Sequence, residues 1–217
     1  MFVVAFSALI LAPGCQPADD NAGHQSNDTG LSAAEAQAQA QARGRPIQQP
    51  RDRARREAGP LGFVVDKSDR KVRVYRDRRA LRTLEVAVGV PNHETPTGSW
   101  AFTRVDINPE WIPPQSDWAE GRVRSPPGDP DNPMGRARLV FDLPYTIHGT
   151  EDLESLGTAA SHGSIRVSNE DALALAELLL RAGGAWEGRE WFREMAENRN
   201  FEYEICLPQP VPISVQE

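Results

Sequence analysis

Cysteine is scarce in this chain of 217 residues: only Cys15 and Cys206 occur. Two cysteines exclude a disulfide framework and a cysteine-rich metal site. An excess of positive charge is also missing. The 24 basic and 31 acidic residues leave a formal net charge of −7, so binding to nucleic acid through overall charge is excluded. No apolar run approaches the ~20 residues of a membrane-spanning helix, and no internal repeat is visible. Turn formers, by contrast, are plentiful. With 17 glycines and 18 prolines the chain is too turn-rich for a helical bundle, and it lacks the Gly-X-Y period of collagen. At this length one domain with appendages is expected. A domain of about 150 residues buries enough surface to fold without disulfides.

The N-terminus divides into two parts. Phe2–Ala12 is apolar apart from Ser7, which is the length of a signal-peptide core. Leu11-Ala-Pro-Gly-Cys15 then resembles a bacterial lipobox, whose cysteine becomes the lipidated first residue of the mature protein. Ala12 stands where leucine is usual, and no Lys or Arg precedes the core. A cleaved secretory signal with an incidental cysteine is the alternative. Both of these readings place the mature protein outside the cytoplasm, in the periplasm; a third, in which the segment is neither signal, does not. Gln16 in place of aspartate favours the outer membrane. Lipidation of Cys15 would leave Cys206 without an intramolecular partner, as a small apolar residue buried in a late strand. Residues 16–60 hold almost no large apolar side chain, which predicts a disordered polar tether. Six arginines fall between Arg43 and Arg56; a solvated tether or a weak contact with anionic lipid or wall polymer both fit.

From Leu61 the pattern changes to short β-branched runs, and residues 61–207 form the expected folded domain, with 208–217 as a tail. Gly62–Asp66 and Val72–Tyr75 flank the turn residues Asp66–Arg70, a hairpin signal. Leu84–Val90, Ser99–Val105, Arg138–Asp142, Pro144–His148 and Phe201–Ile205 read as further strands. Residues 106–135 are dense in Pro, Gly, Asp and Asn and predict a long loop, of the kind that is usually functional; with Trp111 and Trp118 it could line a substrate groove. Asn169–Arg181 predicts a helix with Leu173, Ala176, Leu179 and Leu180 on its apolar face. Ser168 and Asp171 stand at capping-box spacing, and Gly183-Gly184 ends it. Trp186–Asn198 is a second helix candidate. The fold class is therefore mainly β, with one or two helices late in the chain.

Chemistry concentrates in two segments. His148-Gly-Thr150 closes one strand, and Ser164 lies within Ser161-His-Gly-Ser-Ile-Arg-Val-Ser-Asn169. A hydroxyl flanked by glycine at a loop-to-helix junction is accessible. A histidine from a neighbouring strand could serve as its base, backbone N–H groups could face an oxyanion, and Arg166 could hold a carboxylate. Asp142, Glu151 and Asp152 are candidates to assist the histidine. His93 has no second ligand at metal-binding spacing.

These segments resemble the catalytic domain of bacterial L,D-transpeptidases, the YkuD-type domain. Val88-Gly-Val90 and Thr95-Pro-Thr-Gly-Ser-Trp-Ala-Phe102 match its early strand and Thr-Pro-x-Gly loop. Asn108-Pro-Glu-Trp-Ile-Pro-Pro114, Asp131-Asn-Pro-Met-Gly135, Ile147-His-Gly-Thr150 and Ser161-His-Gly-Ser-Ile-Arg166 follow in the family's order. The resemblance implies a β-sandwich that works without metal or other cofactor on peptidoglycan stem peptides. A terminal D-Ala leaves and an acyl-enzyme forms. The acyl group then passes to another stem, to a wall-anchored lipoprotein or to water. It implies His148 as base, oriented by the Gly149 carbonyl, with His162, Gly163 and Arg166 shaping the oxyanion and substrate pocket; Ser161 and Asn169 are candidates for the same contacts. The family's nucleophile is a cysteine, and here that position is Ser164. A thiol of pKa about 8.5 ionises beside a histidine, whereas a hydroxyl must lose its proton during attack. Three readings follow: a serine variant of the enzyme, a catalytically silent wall-binding homologue, or an engineered cysteine-to-serine variant.

Overall fold

The computed structural model describes residues 60–217. The expected signal sequence, Cys15 and most of the expected tether lie outside them. Ten strands and two helices follow in order: β1 (Leu61–Asp66), β2 (Lys71–Arg76), β3 (Arg79–Glu85), β4 (Val88–Gly89), β5 (Gly98–Ile107), β6 (Ala137–Asp142), β7 (Tyr145–Thr150), β8 (Ala159–Ser161), β9 (Ile165–Ser168), α1 (Asn169–Ala182), α2 (Arg189–Glu197) and β10 (Tyr203–Gln216). Eight strands form one sheet in the order β3-β2-β1-β10-β5-β6-β7-β9, and β4 pairs with β8 in a second. Among the described residues no helix is long and apolar enough to cross a membrane.

Alternation builds the hairpin as expected. Leu61, Phe63 and Val65 point inward from β1, Val72 and Val74 from β2, and Asp66 faces Lys71 across the turn. The Phe63 ring meets Phe102 edge-on at 4.9 Å, and Phe102 meets Phe141 at 5.8 Å. Removing one such fully buried ring costs about 3–5 kcal/mol. Helix α1 packs its apolar face on the sheet, burying Ala172, Leu175, Ala176, Leu179 and Leu180; Leu173 is half-buried. The cap forms as the spacing requires. The Asp171 N–H donates to Ser168 Oγ at 3.0 Å, and the hydroxyl returns a bond to Asp171 Oδ2 at 2.7 Å.

Four expectations are corrected. Leu84–Val90 is not one strand: the chain leaves the large sheet after Glu85 and enters the small one at Val88. Ser164 does not precede a helix directly; it ends the turn between β8 and β9, and α1 follows β9. The last strand does not stop near residue 205 but continues through the expected tail to Gln216. Prolines argue against a strand interior; Pro208 and Pro210 fall where the register with β5 slips between Cys206 and Val211, and Pro212 stays paired opposite Ala101. Finally, Cys206 is exposed rather than buried, because the alternation of β10 turns Leu207 inward.

Candidate active site

The register of β6, β7 and β9 sets the site. Paired residues of neighbouring strands point to the same side, and residues two apart share a face. His148 faces Arg166 on β9 and Arg138 on β6. Thr146, two residues before His148, lies on the same face, and so does Ser164, two before Arg166. The row continues outward: Arg138 faces Asp106 on β5, and Asp106 faces Glu204 on β10. Five charged or titratable residues thus stand side by side on five strands, over about 19 Å at the usual strand spacing. A cavity of about 720 Å³ lies over this row, lined by Ser164, His148, Arg166, Arg138, Glu202 and Glu204 among others.

His148 is 3 % exposed. Its Nδ1 lies 2.9 Å from the Gly149 carbonyl oxygen. A carbonyl only accepts, so Nδ1 carries the proton. Burial first, then the Arg166 and Arg138 charges, lower the imidazole to about 4, against the opposing pull of the Gly149 bond. The ring is therefore neutral near pH 7, with the Nε2 lone pair free. Asn169 packs against Gly149; its Oδ1 accepts from Arg136 N at 2.8 Å and its Nδ2 donates to Glu151 at 2.8 Å. A Cβ on Gly149 or on Gly135 would come within 2.1 Å of Asn169 Oδ1. Asn169 is thus a brace behind the histidine and does not line the cavity.

Ser164 Oγ accepts the Thr146 N–H at 3.2 Å, lies 3.4 Å from Thr146 Oγ1 and reaches the Pro144 carbonyl at 3.4 Å. Ser161 is buried and braces the turn: its hydroxyl donates to the Ser164 carbonyl and accepts the Gly163 N–H at 3.2 Å. Gly163 has φ +107°, and a Cβ there would meet Tyr145 Cε1 at 2.7 Å. The His162 ring stacks on Trp118 at 4.0 Å and meets His93 edge-on at 5.1 Å; burial, then the His93, Arg166 and Arg122 charges, lower its pKa. Trp118 belongs to the loop expected at 106–135, and that loop also supplies Trp111, Arg122 and Met134 to the cavity wall.

None of the three acids considered as helpers hydrogen-bonds His148: Glu151 holds Asn169, Asp152 acts on Arg166, and Asp142 is exposed. The acidic end of the cavity was not foreseen. Asp106, fully buried, is held by Arg138 Nε at 2.6 Å and Arg104 Nε at 2.8 Å. Glu202 meets Arg138 at 3.1 Å, yet burial and the neighbouring Asp106 and Glu204 push it up to about 7. Nothing in the linear sequence aligns residues 106, 138, 148, 166 and 204; only strand register does.

Residues 61–190 match the family model of the YkuD L,D-transpeptidase catalytic domain. The chain belongs to this family. Two curated relatives of this L,D-transpeptidase domain are "Probable L,D-transpeptidase YbiS" of Escherichia coli K12 and "Probable L,D-transpeptidase ErfK/SrfK" of Salmonella typhimurium LT2. The first is 31 % identical over 125 residues, covering 54 % of this chain and 40 % of the relative. The second is 30 % identical over 119 residues, covering 51 % and 38 %. The matched part thus spans about two fifths of these relatives' length. Among solved structures, L,D-transpeptidase 3 from Mycobacterium tuberculosis is similar with a TM-score of 0.46 and 17 % identity, over 72 % of this chain and 61 % of that one.

Proposed function

We propose that this L,D-transpeptidase-family protein performs acyl transfer on peptidoglycan tetrapeptide stems, with Ser164 as nucleophile. The observation that supports this reading is the state of His148: its Nδ1–H is committed to Gly149 O, which leaves Nε2 as a proton acceptor in the cavity that also holds Ser164. Ser164 Oγ would attack the carbonyl carbon of the L-centred residue while Nε2 takes the hydroxyl proton. The tetrahedral oxyanion would collapse, the peptide C–N bond would break, and the imidazolium would return its proton to the leaving D-Ala amine. An ester remains on Ser164. An amine of a second stem or of a wall-anchored lipoprotein, or water, would then take the acyl group and restore the hydroxyl. A lipid on Cys15 would anchor the protein in the periplasm, with residues 16–60 as the tether towards the wall.

One observation favours a second reading, a silent homologue that binds stem peptides. The Ser164 hydroxyl is engaged by Thr146 and Pro144, and a base lowered to about 4 is weak for a hydroxyl that must be deprotonated during attack. The test is intact-protein mass and muropeptide analysis after incubation with a purified tetrapeptide muropeptide. Wild type, Ser164→Ala and Ser164→Cys are compared. An acyl adduct or new products in wild type, absent from Ser164→Ala, is the expected result. Activity only in Ser164→Cys would overturn the serine-enzyme reading and leave an intact site lacking its thiol.

A further inference from the structure

The charge of the described residues is segregated. Residues 60–217 hold 18 basic and 25 acidic side chains, yet eight of the basic ones fall within Lys67–Arg82 beside only two acids, Asp69 and Asp77. This segment is the β2–β3 hairpin with the turn before it, at the open edge of the large sheet. Some of its cations are matched. Lys67 pairs with Glu217 at 2.6 Å, Arg73 with Asp66 at 3.2 Å and with Asp69, and Arg82 reaches Asp171 at 3.9 Å. Arg76, Arg78 and Arg79 form no ion pair among the described residues.

These three arginines crowd the hairpin tip at a structural cost. Arg76 and Arg79 face each other directly across the strands, and like charges in that position repel. The two residues between them, Asp77 and Arg78, have φ of 50° and 65°, the left-handed pair that a two-residue turn ordinarily fills with Asn-Gly. Arg76 Nε is buried without a hydrogen-bond partner. Charges along an edge strand discourage sheet-to-sheet pairing, but that purpose does not call for three guanidinium groups at a strained turn. No residue of Lys67–Arg82 lines the Ser164 cavity. Arg76 also faces Leu61 across the sheet. The base of the tip therefore lies beside the first residue of β1.

We propose that the β2–β3 tip is a docking surface for a bilayer of anionic phospholipid. A planar guanidinium fork matches a phosphate diester bidentately. Two adjacent exposed forks, Arg78 and Arg79, with Arg76 half-buried beside them, suit a plane of headgroups better than one small anion. Docking through this tip leaves the Ser164 cavity unobstructed. Each basic residue at an anionic surface contributes roughly 1 kcal/mol, about fivefold in partitioning.

The test uses the full chain and vesicles of phosphatidylcholine with or without phosphatidylglycerol. The quantity read is the ratio of binding to the two, which cancels any contribution from an acyl chain or apolar leader. Wild type should prefer the anionic vesicles, with a preference that falls as salt rises. An Arg78→Gln, Arg79→Gln double variant should lose about 30-fold of that preference at low salt, with an unchanged urea midpoint and unchanged muropeptide behaviour. A second variant replaces Arg51, Arg53, Arg55 and Arg56 by Gln. Retention of the preference in the tip variant, or its loss only in the residue-51–56 variant, would overturn the proposal. Displacement by millimolar inorganic phosphate at constant ionic strength would also overturn it, since that marks a discrete phosphate site.

Discussion

His148 makes the protein's stability depend on pH in a way that one substitution isolates. The ring falls from an ordinary 6.5 to about 4 on folding, mainly because it is buried and secondarily because Arg166 and Arg138 flank it. Between those two values the unfolded chain binds a proton that the folded chain refuses. Stability from this group is therefore complete above about pH 6.5 and is lost as pH falls towards 4. At 1.36 kcal/mol per pKa unit the loss is roughly 3 kcal/mol, a large part of the 5–15 kcal/mol typical of a domain. Glu202 acts in the opposite direction. Raised to about 7 by burial, it is protonated in the folded state before the unfolded one, so its contribution is present at low pH and lost as pH rises through 7. Being partly exposed, it carries a smaller share. The two contributions offset each other in wild type, so a single stability curve hides both. Urea unfolding of wild type, His148→Gln and Glu202→Gln at pH 4 to 8 separates them. Relative to His148→Gln, wild type should lose about 3 kcal/mol between pH 7.5 and 4. Relative to Glu202→Gln, wild type should gain over the same range. Parallel curves for wild type and His148→Gln would refute the claim that the folded site holds this ring neutral.

Two further substitutions probe the supports of the site. Gly163→Ala should destabilise the fold by about 1–3 kcal/mol in urea unfolding, because the added Cβ meets Tyr145 at 2.7 Å on a backbone with φ +107°; an unchanged midpoint would mean that the turn yields freely. Asn169→Ala should cost about 1–3 kcal/mol by orphaning the Arg136 N–H. It should also weaken the His148 Nδ1–H signature in imidazole nitrogen spectra, since Gly149 loses its brace.

What could be read from the sequence was local. The β1–β2 hairpin followed from alternating apolar residues around Asp66–Arg70, and α1 from its Ser168 cap and 3.6-residue period, although the buried face is centred closer to Leu175 than to Leu173. Both candidate-site segments stand out as short motifs. Hidden features depended on contacts between distant segments. The prolines of β10 obscured a strand whose register slips at Pro208 and Pro210. Thr146 carries no motif of its own and contacts Ser164 only because β7 and β9 run parallel in a particular register. Asn169 closes the motif, which points to the pocket, whereas the turn into α1 directs it behind Gly149. The pairing of Asp106 with Arg138 spans 32 residues and crosses the long loop, beyond any local pattern.

The position of β10 links the order of synthesis to the assembly of the site. This strand lies between β1 and β5, so everything made before residue 203 consists of two sheet fragments with no seam between them: β1 to β3, and β5 with β6, β7 and β9. The strand that joins them is translated after all the others. It pairs parallel with β1 through residues 213–216 and antiparallel with β5 along most of its length. Glu204 completes the charged row, and Glu202, just before the strand, caps Arg138. A nascent chain thus carries His148 and Ser164 on β7 and beside β9 while one wall of the groove is still missing. Ribosomal delivery of residues 203–216 is the step that turns two half-sheets into one and closes the groove around His148 and Ser164.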